Sequence, residues 1–308
     1  MIRKFLIYAL FLFFTSSVLA QEDESKINIQ YDGIYLRNIT LSQLEMVYHD
    51  YKYRDYIYMP EWKYPPIFLE NFPIDFDTIT DPQKRNKLFI QILVPLTLKL
   101  NQEILQERWE IEDLIKEYNE KHDLSEEQIK YLEDKATKYD IFTRLKGERR
   151  YSFFLNELKE KVDIIPPSIL IAAAAIETNW GTNRPAQLAN SLFRELVWYT
   201  DEGLEPLDEE EDKSYRYKIF PTLYDSLVSH ALKINSSINY YLFRTERAQI
   251  QYKEVPVLGR NIAHSMVFDS NLRNFAGILD YTITFYELTN IDEAELAPLT
   301  LPASIDEK

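Results

Sequence analysis

From Ile169 to Ala175 the chain reads Ile-Leu-Ile-Ala-Ala-Ala-Ala, and its next charged position is Glu177. A helix apolar on every face is buried on every face. Pro166-Pro167 stops what precedes it, Pro167 suits a first helical turn, and Gly181 suits a terminator. The pattern therefore predicts a central core helix from Pro167 to about Asn179. Helical spacing recurs elsewhere. Leu88, Ile92, Leu96, Leu100, Ile104 and Ile111 follow Asp81-Pro82, a capping acid and a first-turn proline. Pro95 inside this stretch should kink it. From Asn101 to Glu120 charges dominate, which predicts a long helix with one apolar face. Ser125 and Gln128 form a capping box for a helix through Tyr139. Arg150 to Lys161 reads as a further helix with a solvated charged face. Leu223, Leu227, Ala231, Ile234, Ile238 and Tyr241 make one core-facing stripe over Thr222 to Arg247, and a last helix covers about Leu272 to Leu288.

The remaining stretches lack this period. Residues 1–20 have Arg3 and Lys4, an apolar run from Phe5 to Phe14, and a small-residue exit at Val18-Leu19-Ala20. That is the layout of a secretory leader, cut before Gln21, and its apolar run is short for a membrane span. Residues 21–80 carry Tyr48, Tyr51, Tyr53, Tyr56, Tyr58, Trp62, Tyr64, Pro65 and Pro66. They read as a short helix near Leu41 to Tyr51 and then an extended arm whose aromatics pack onto the main domain. Thr182 to Lys218 reads as non-helical and contains the acids Asp208 to Asp212, a self-repelling run expected to be a mobile loop. Residues 289–308 read as a flexible tail. The organisation is therefore mainly α: leader 1–20, arm 21–80, a helical extension 81–161 packing on the main domain, a main domain 162–288, and the tail.

Composition narrows the function classes. Net charge is −15, and loss of the leader removes Arg3 and Lys4, so the mature chain is more acidic still. Nucleic-acid binding needs a cationic footprint, and anionic lipid would repel such a chain. No stretch after the leader approaches spanning length, so stable membrane insertion is not expected once it is cut. There is no cysteine. An exported protein of this kind relies on its core alone, and thiolate metal sites and thiol nucleophiles are excluded. His49, His122, His230 and His264 show no ligand spacing. No cofactor is implied.

Glu177 is the position that asks for an explanation. Acids are almost never fully buried unless something pairs or uses them. Desolvation raises a carboxyl pKa, and a helix C-terminus opposes an anion. A carboxyl so placed, beside Trp180, can stay protonated and donate to a glycosidic oxygen. The competing reading is a structural ion pair with Arg184 or Arg194. Trp180, Phe193, Trp198 and Tyr199 can stack on sugar rings, although for Trp180 a loop-locking role that desolvates Glu177 is the stronger reading. Asn179 and Asn190 can bond sugar or hold the loop.

The segment Pro-Pro-Ser-Ile-Leu-Ile-Ala-Ala-Ala-Ala-Ile-Glu-Thr-Asn-Trp-Gly-Thr-Asn-Arg, Pro166 to Arg184, resembles the signature of the bacterial glucosaminidase family, in particular its Bax-like branch. Phe220 to Leu227, then Asn235, Tyr240, Phe243 and Arg244, is similar to that branch's following helix. The resemblance spans about residues 65 to 288. It implies a lysozyme-like helical domain with a small irregular or β loop lobe, an N-terminal helical extension, and cleavage of peptidoglycan glycan strands at β-1,4 bonds of N-acetylglucosamine. It implies Glu177 as the catalytic acid. Substrate contacts are then expected at Trp180, Asn179, Asn190 and Phe193, and a second carboxylate at Glu195, Asp201, Glu202 or Glu205. Periplasmic or cell-envelope localisation follows from the leader.

The chain departs from the family pattern at four places. Arg194 stands where the family has glycine, Arg216 where it often has glutamate, and Phe268 and Phe275 where it carries tyrosines. These departures leave a second reading open, a non-cleaving glycan-binding or envelope-scaffold protein of the same fold. A third, an interaction module built on the acidic loop and tyrosine arm, has compositional support only.

Overall fold

The computed structural model describes residues 25–200, 202–207, 214–267 and 274–300. The leader, Asp201, the Asp208–Asp212 acid run and Phe268 lie outside them. The described residues are mainly helical, as the spacing of apolar positions predicts.

Near the N-terminus the chain is better ordered than an extended arm. β1 (Lys26–Gln30) and β2 (Gly33–Arg37) form an antiparallel hairpin, with Ile29 opposite Ile34. α1 (Leu41–Asp50) starts at Thr40, whose side chain completes a capping box with Gln43. β3 (Lys63–Tyr64) follows, and β4 (Ile67–Leu69) then pairs parallel with β2. The tyrosines between them are inside, with Tyr53 at 1% and Tyr64 at 0% exposure. Packing is therefore what most of these aromatics do, while Tyr58 stays in solvent.

α2 (Pro82–Lys121) is capped by Asp81, whose carboxylate accepts from Gln83 N at 2.9 Å. Its first half is buried almost without interruption from Leu88 to Leu98. It is one helix of 40 residues that continues through Pro95. Proline cannot donate to the carbonyl four residues back. That carbonyl, Gln91 O, instead accepts the buried Tyr53 hydroxyl at 3.0 Å. The second half of α2 keeps one buried row, Ile104, Ile111, Leu114 and Tyr118, and packs with α3 (Glu126–Lys138), where Glu107 pairs with Lys135 and Lys138, and with α4 (Glu148–Lys161). Ser125 and Gln128 close α3 with the expected capping box.

α5 (Pro167–Thr178) is the centre of the core, and Ile169 through Ala175 are each 0% exposed. The segment leading into it is gripped from three helices. Asn101 on α2 pairs with the Ile165 backbone, Nδ2 to O at 2.8 Å and N to Oδ1 at 3.2 Å. Arg108, also on α2, meets the Asp163 carboxylate at 3.1 Å. Asn235 and Arg247 donate to Asp163 O at 2.9 and 3.1 Å, and Arg247 also reaches Ile164 O at 2.8 Å. Arg247 is fully enclosed, and burial lowers its pKa to about 10.

Two expectations need correcting beyond α5. The stretch from Thr182 to Lys218 is not wholly non-helical: it contains α6 (Arg184–Ala189), capped by Asn183 with Pro185 in its first turn. It also contains a hairpin of β5 (Leu196–Trp198) and β6 (Tyr215–Tyr217). The helix expected over Thr222 to Arg247 is two, α7 (Leu223–Ser236) and α8 (Tyr241–Tyr252), separated at Ser237 and joined by a short 3-10 turn. Asn235 and Arg247, which grip Asp163 together, stand on these separate helices.

α9 (Gly259–Ile262) and α10 (Phe275–Phe285) complete the bundle, with Phe275 buried in the core. Tail residues beyond α10 are also tied down rather than frayed. Leu288 and Ile291 are buried, Asp292 bonds to α5, and β7 (Glu295–Leu296) pairs with β3. They lack a helical period because they dock as a 3-10 turn and a strand.

Candidate active site

The C-terminal end of α5 turns through three successive residues with positive φ: Asn179 at 49°, Trp180 at 60° and Gly181 at 77°. Every carbonyl of the last turn is bonded. Trp180 N donates to Ala175 O at 2.8 Å, and Asn183 Nδ2 donates to Glu177 O at 2.8 Å. Thr178 Oγ1 donates to Ala174 O at 2.6 Å and accepts from Gly181 N at 2.8 Å. Both Thr182 N and Asn183 N reach Thr178 O at 3.1 Å. This satisfies the groups a helix end leaves open and fixes the direction in which the last residues project. Gly181 is required for space as well as for φ, since a Cβ there would meet Phe72, Phe89 and Phe76 at 3.1 to 3.2 Å.

Glu177 sits on this last turn, half-buried, with its Oε1 covered from solvent. Arg194, whose backbone is left-handed at φ 49°, is close enough to feel its charge. The guanidinium donates to the Tyr217 hydroxyl at 3.0 Å and lies 5.5 Å from that ring's centre. That hydrogen bond, with the electrostatic influence of Tyr217, Glu177 and Tyr215, holds Arg194 above its ordinary pKa. Of the two arginines weighed as partners for Glu177, Arg194 is the one in its field. Arg184 turns instead to Glu205 O.

The substrate-contact candidates divide. Trp180 packs between Phe89, at 5.8 Å between ring centres, and Tyr286, at 4.5 Å. It locks the turn to α2 and to the end of α10, the role its position suggested. Phe193 is buried and stacked on His230 at 3.7 Å, so its ring faces the core. Asn190 holds the loop by donating to Phe220 O at 3.1 Å. Asn179 is exposed and bonds Thr182 Oγ1 at 2.9 Å.

Among the second-carboxylate candidates, Glu195 turns to α7. It accepts the Ser229 hydroxyl at 2.8 Å and lies 3.6 Å from Lys218 Nζ. Its Oε1 is buried without a hydrogen-bond partner. Glu205 forms a 2.7 Å ion pair with Arg216 and is 70% exposed, and Glu202 is exposed. The hairpin explains this sorting. Leu196 stands opposite Tyr217 and Trp198 opposite Tyr215, so these four share one face. Val197 and Arg216 share the other, which the Gly203–Glu205 segment covers: a Cβ at Gly203 would lie 2.8 Å from Arg216 Cβ and 3.2 Å from Val197 Cγ2. Arg194 lies against Tyr217, so the aromatic face is the one in the field of Glu177.

Tyr215 and Tyr217 are members of this cluster that are not among the residues the sequence singles out. Their alternation around Arg216 was the available signal, because period-two spacing puts both rings on one face.

Residues 154–279 match the glucosaminidase family model, described as mannosyl-glycoprotein endo-beta-N-acetylglucosaminidase. The resemblance carried by Pro166 to Arg184 is thereby borne out. Among individual relatives the chain is 28% identical over 187 residues to Protein bax of Escherichia coli strain K12, which covers 59% of this chain. The match spans 62% of that relative's length. Among solved structures, the catalytic domain of the autolysin Auto from Listeria monocytogenes is similar at 18% identity and a TM-score of 0.31, over 55% of this chain and 90% of that one.

Proposed function

We propose that the protein is an exported glycoside hydrolase that cleaves β-1,4 bonds at N-acetylglucosamine in peptidoglycan, with Glu177 as the general acid. The observation that carries this is the placement of Glu177. It ends a helix with no exposed residue from Pro167 to Ala175, with one oxygen covered and its carbonyl fixed by Asn183. A bonded turn of this kind fixes the backbone from which the carboxyl projects, and general-acid transfer depends on geometry before it depends on pKa. The family match over residues 154–279 supports the reaction class. Export rests on the leader-like residues 1–20.

Glu195 and Glu205 are each bonded elsewhere, to Ser229 and to Arg216. A route in which the substrate's own N-acetyl group attacks the anomeric carbon asks for no second carboxylate as nucleophile. The bond to the leaving oxygen breaks as that oxygen takes the Glu177 proton, and water then opens the cyclic intermediate, giving its proton to the Glu177 carboxylate and restoring the acid.

The test is digestion of purified cell wall followed by mass spectrometry of the released muropeptides. Wild type is expected to release fragments with N-acetylglucosamine at the new reducing end, and Glu177→Gln is expected to release none above a heat-inactivated control. Equal release by both proteins removes Glu177 from the acid role. The mass of the protein recovered from the envelope checks cleavage before Gln21.

One observation favours a second reading, a glycan-binding protein without turnover. Arg216 occupies the strand position where the family often has glutamate, and it is ion-paired to Glu205. No fragment release by wild type, together with retained binding to cell wall, would select it.

A further inference from the structure

Resting on the glycan-directed reading of this site, we infer that the aromatic face of the β5–β6 hairpin, with Arg194 at its inner end, is a subsite for a sugar ring bearing a carboxylate. In a peptidoglycan strand, this is N-acetylmuramic acid with its lactyl group free of peptide.

The face is open at its outer end. Trp198 is 52% exposed, and its ring centre lies 5.5 Å from that of Tyr215, which lies 5.9 Å from Tyr217. Tyr199, 6.4 Å from Trp198, extends the row and is 88% exposed. Trp198 and Tyr199 are the exposed rings, while Tyr215 is half-buried and Tyr217 is buried, and adjacent exposed rings on a water-facing hairpin are unusual unless something apolar covers them. A pyranose presents an apolar C–H face of about the area of such a ring. The row runs from solvent through Trp198 and Tyr215 to Tyr217, on which Arg194 rests beside Glu177.

Charge then selects among sugars. The chain carries a net −15, and neither strand contributes an acid to this face. Arg194 is therefore a cation set among aromatic rings at the point where an arriving strand meets Glu177. One of its N–H groups is committed to Tyr217, and the planar fork has others suited to a carboxylate. Arg216 belongs to the opposite face and to Glu205. A neutral N-acetylglucosamine ring would use the aromatic row alone. A ring with a free lactyl carboxylate would use the row and Arg194 together.

The experiment is calorimetric binding on the full chain carrying Glu177→Gln, which separates binding from turnover. The probes are a peptide-free hexasaccharide alternating N-acetylglucosamine and N-acetylmuramic acid, and the neutral N-acetylglucosamine hexamer. The acidic oligomer is expected to bind about tenfold tighter, and this advantage should shrink as salt rises. Adding Arg194→Gln should abolish the advantage, Arg194→Lys should restore part of it, and Trp198→Ala should weaken both oligomers by a similar factor. Equal affinity for the two probes, an advantage surviving Arg194→Gln, or no binding of either probe overturns the subsite. Loss of catalysis is not a readout here. A wild type that binds as expected but releases no muropeptides would overturn the hydrolase reading and leave the subsite standing.

Discussion

At its N-terminal end α5 receives a carboxylate from 124 residues further along the chain, and at its C-terminal end it carries one of its own. Asp292 accepts Ser168 N at 2.9 Å and Ser168 Oγ at 2.8 Å, and it also takes Gly259 N at 2.7 Å. Pro166 offers no side-chain cap, so a distant acid supplies it. The helix dipole favours an anion there, and all three contacts donate to it. At the other end the dipole opposes an anion. Asn183 bonds the backbone of Glu177 at that end, and Arg194 feels the charge of its carboxyl. One acid is spent on structure, and the other has its peptide bonded by Asn183. The core helix thus joins a clamped end to an end shaped for chemistry.

The contrast can be broken most sharply at Glu177. Glu177→Gln is expected to lower glycan turnover by about 10² to 10⁴-fold while shifting unfolding stability by less than about 0.5 kcal/mol. Cell-wall digestion and chemical denaturation measure the two. A comparable loss of stability would mean that this acid, like Asp292, serves the fold. Gly181→Ala is the converse. Its φ of 77° and the three phenylalanine rings at 3.1 to 3.2 Å leave a methyl neither the conformation nor the space. We expect a loss of about 3 kcal/mol in denaturant unfolding.

The two ends also differ in how far they could be read from sequence. The C-terminal end was legible because its determinants are local: an apolar run, then Glu177, Trp180 and Gly181 within a few positions. The N-terminal clamp was not, since nothing around Asp292 announces a partner on α5 and the tail there lacks period. α6 has a local signal in Asn183, a capping residue with Pro185 behind it, set inside a stretch that otherwise lacks helical period. α7 and α8 share one apolar stripe, so periodicity could not show their break at Ser237. Phe193 was misplaced for a different reason, because sequence shows that a ring is present but not that His230 stacks on it inside the core.

Asp292 gives the comparison a pH axis. Burial pushes its pKa up from 3.8 to about 6, against the lowering pull of its three hydrogen bonds. The folded state therefore binds more protons than the unfolded chain between about pH 4 and pH 6. The stability tied to this group is complete below about pH 4 and declines as pH rises through 6. A shift of about two units corresponds to about 3 kcal/mol. Asp292→Asn removes the titration and perturbs the hydrogen bonds at every pH. The stability difference between wild type and variant should therefore shrink by up to about 3 kcal/mol from pH 4 to pH 7, measured by urea unfolding in matched buffers. A difference that stays level or grows with pH would show that the clamp's donors, rather than its burial, govern this acid.

The smallest expected effect dissects how Glu177 is held. Asn183 does two things: its Oδ1 caps α6 by accepting from Ala186 N at 3.0 Å, and its Nδ2 donates to Glu177 O at 2.8 Å. Asn183→Ala removes both, and loss of the cap should cost about 1 kcal/mol. Turnover should fall about fivefold if the peptide of Glu177 is free to shift. Asn183→Asp keeps a capping oxygen but has no donor for the Glu177 carbonyl, and it sets a carboxylate against it. Stability should then return most of the way while turnover stays low. Recovery of both would mean that α6 alone orients the end of α5. Recovery of stability without turnover would assign the orientation to the single bond from Asn183, which makes it a positioning residue acting through the backbone of the acid.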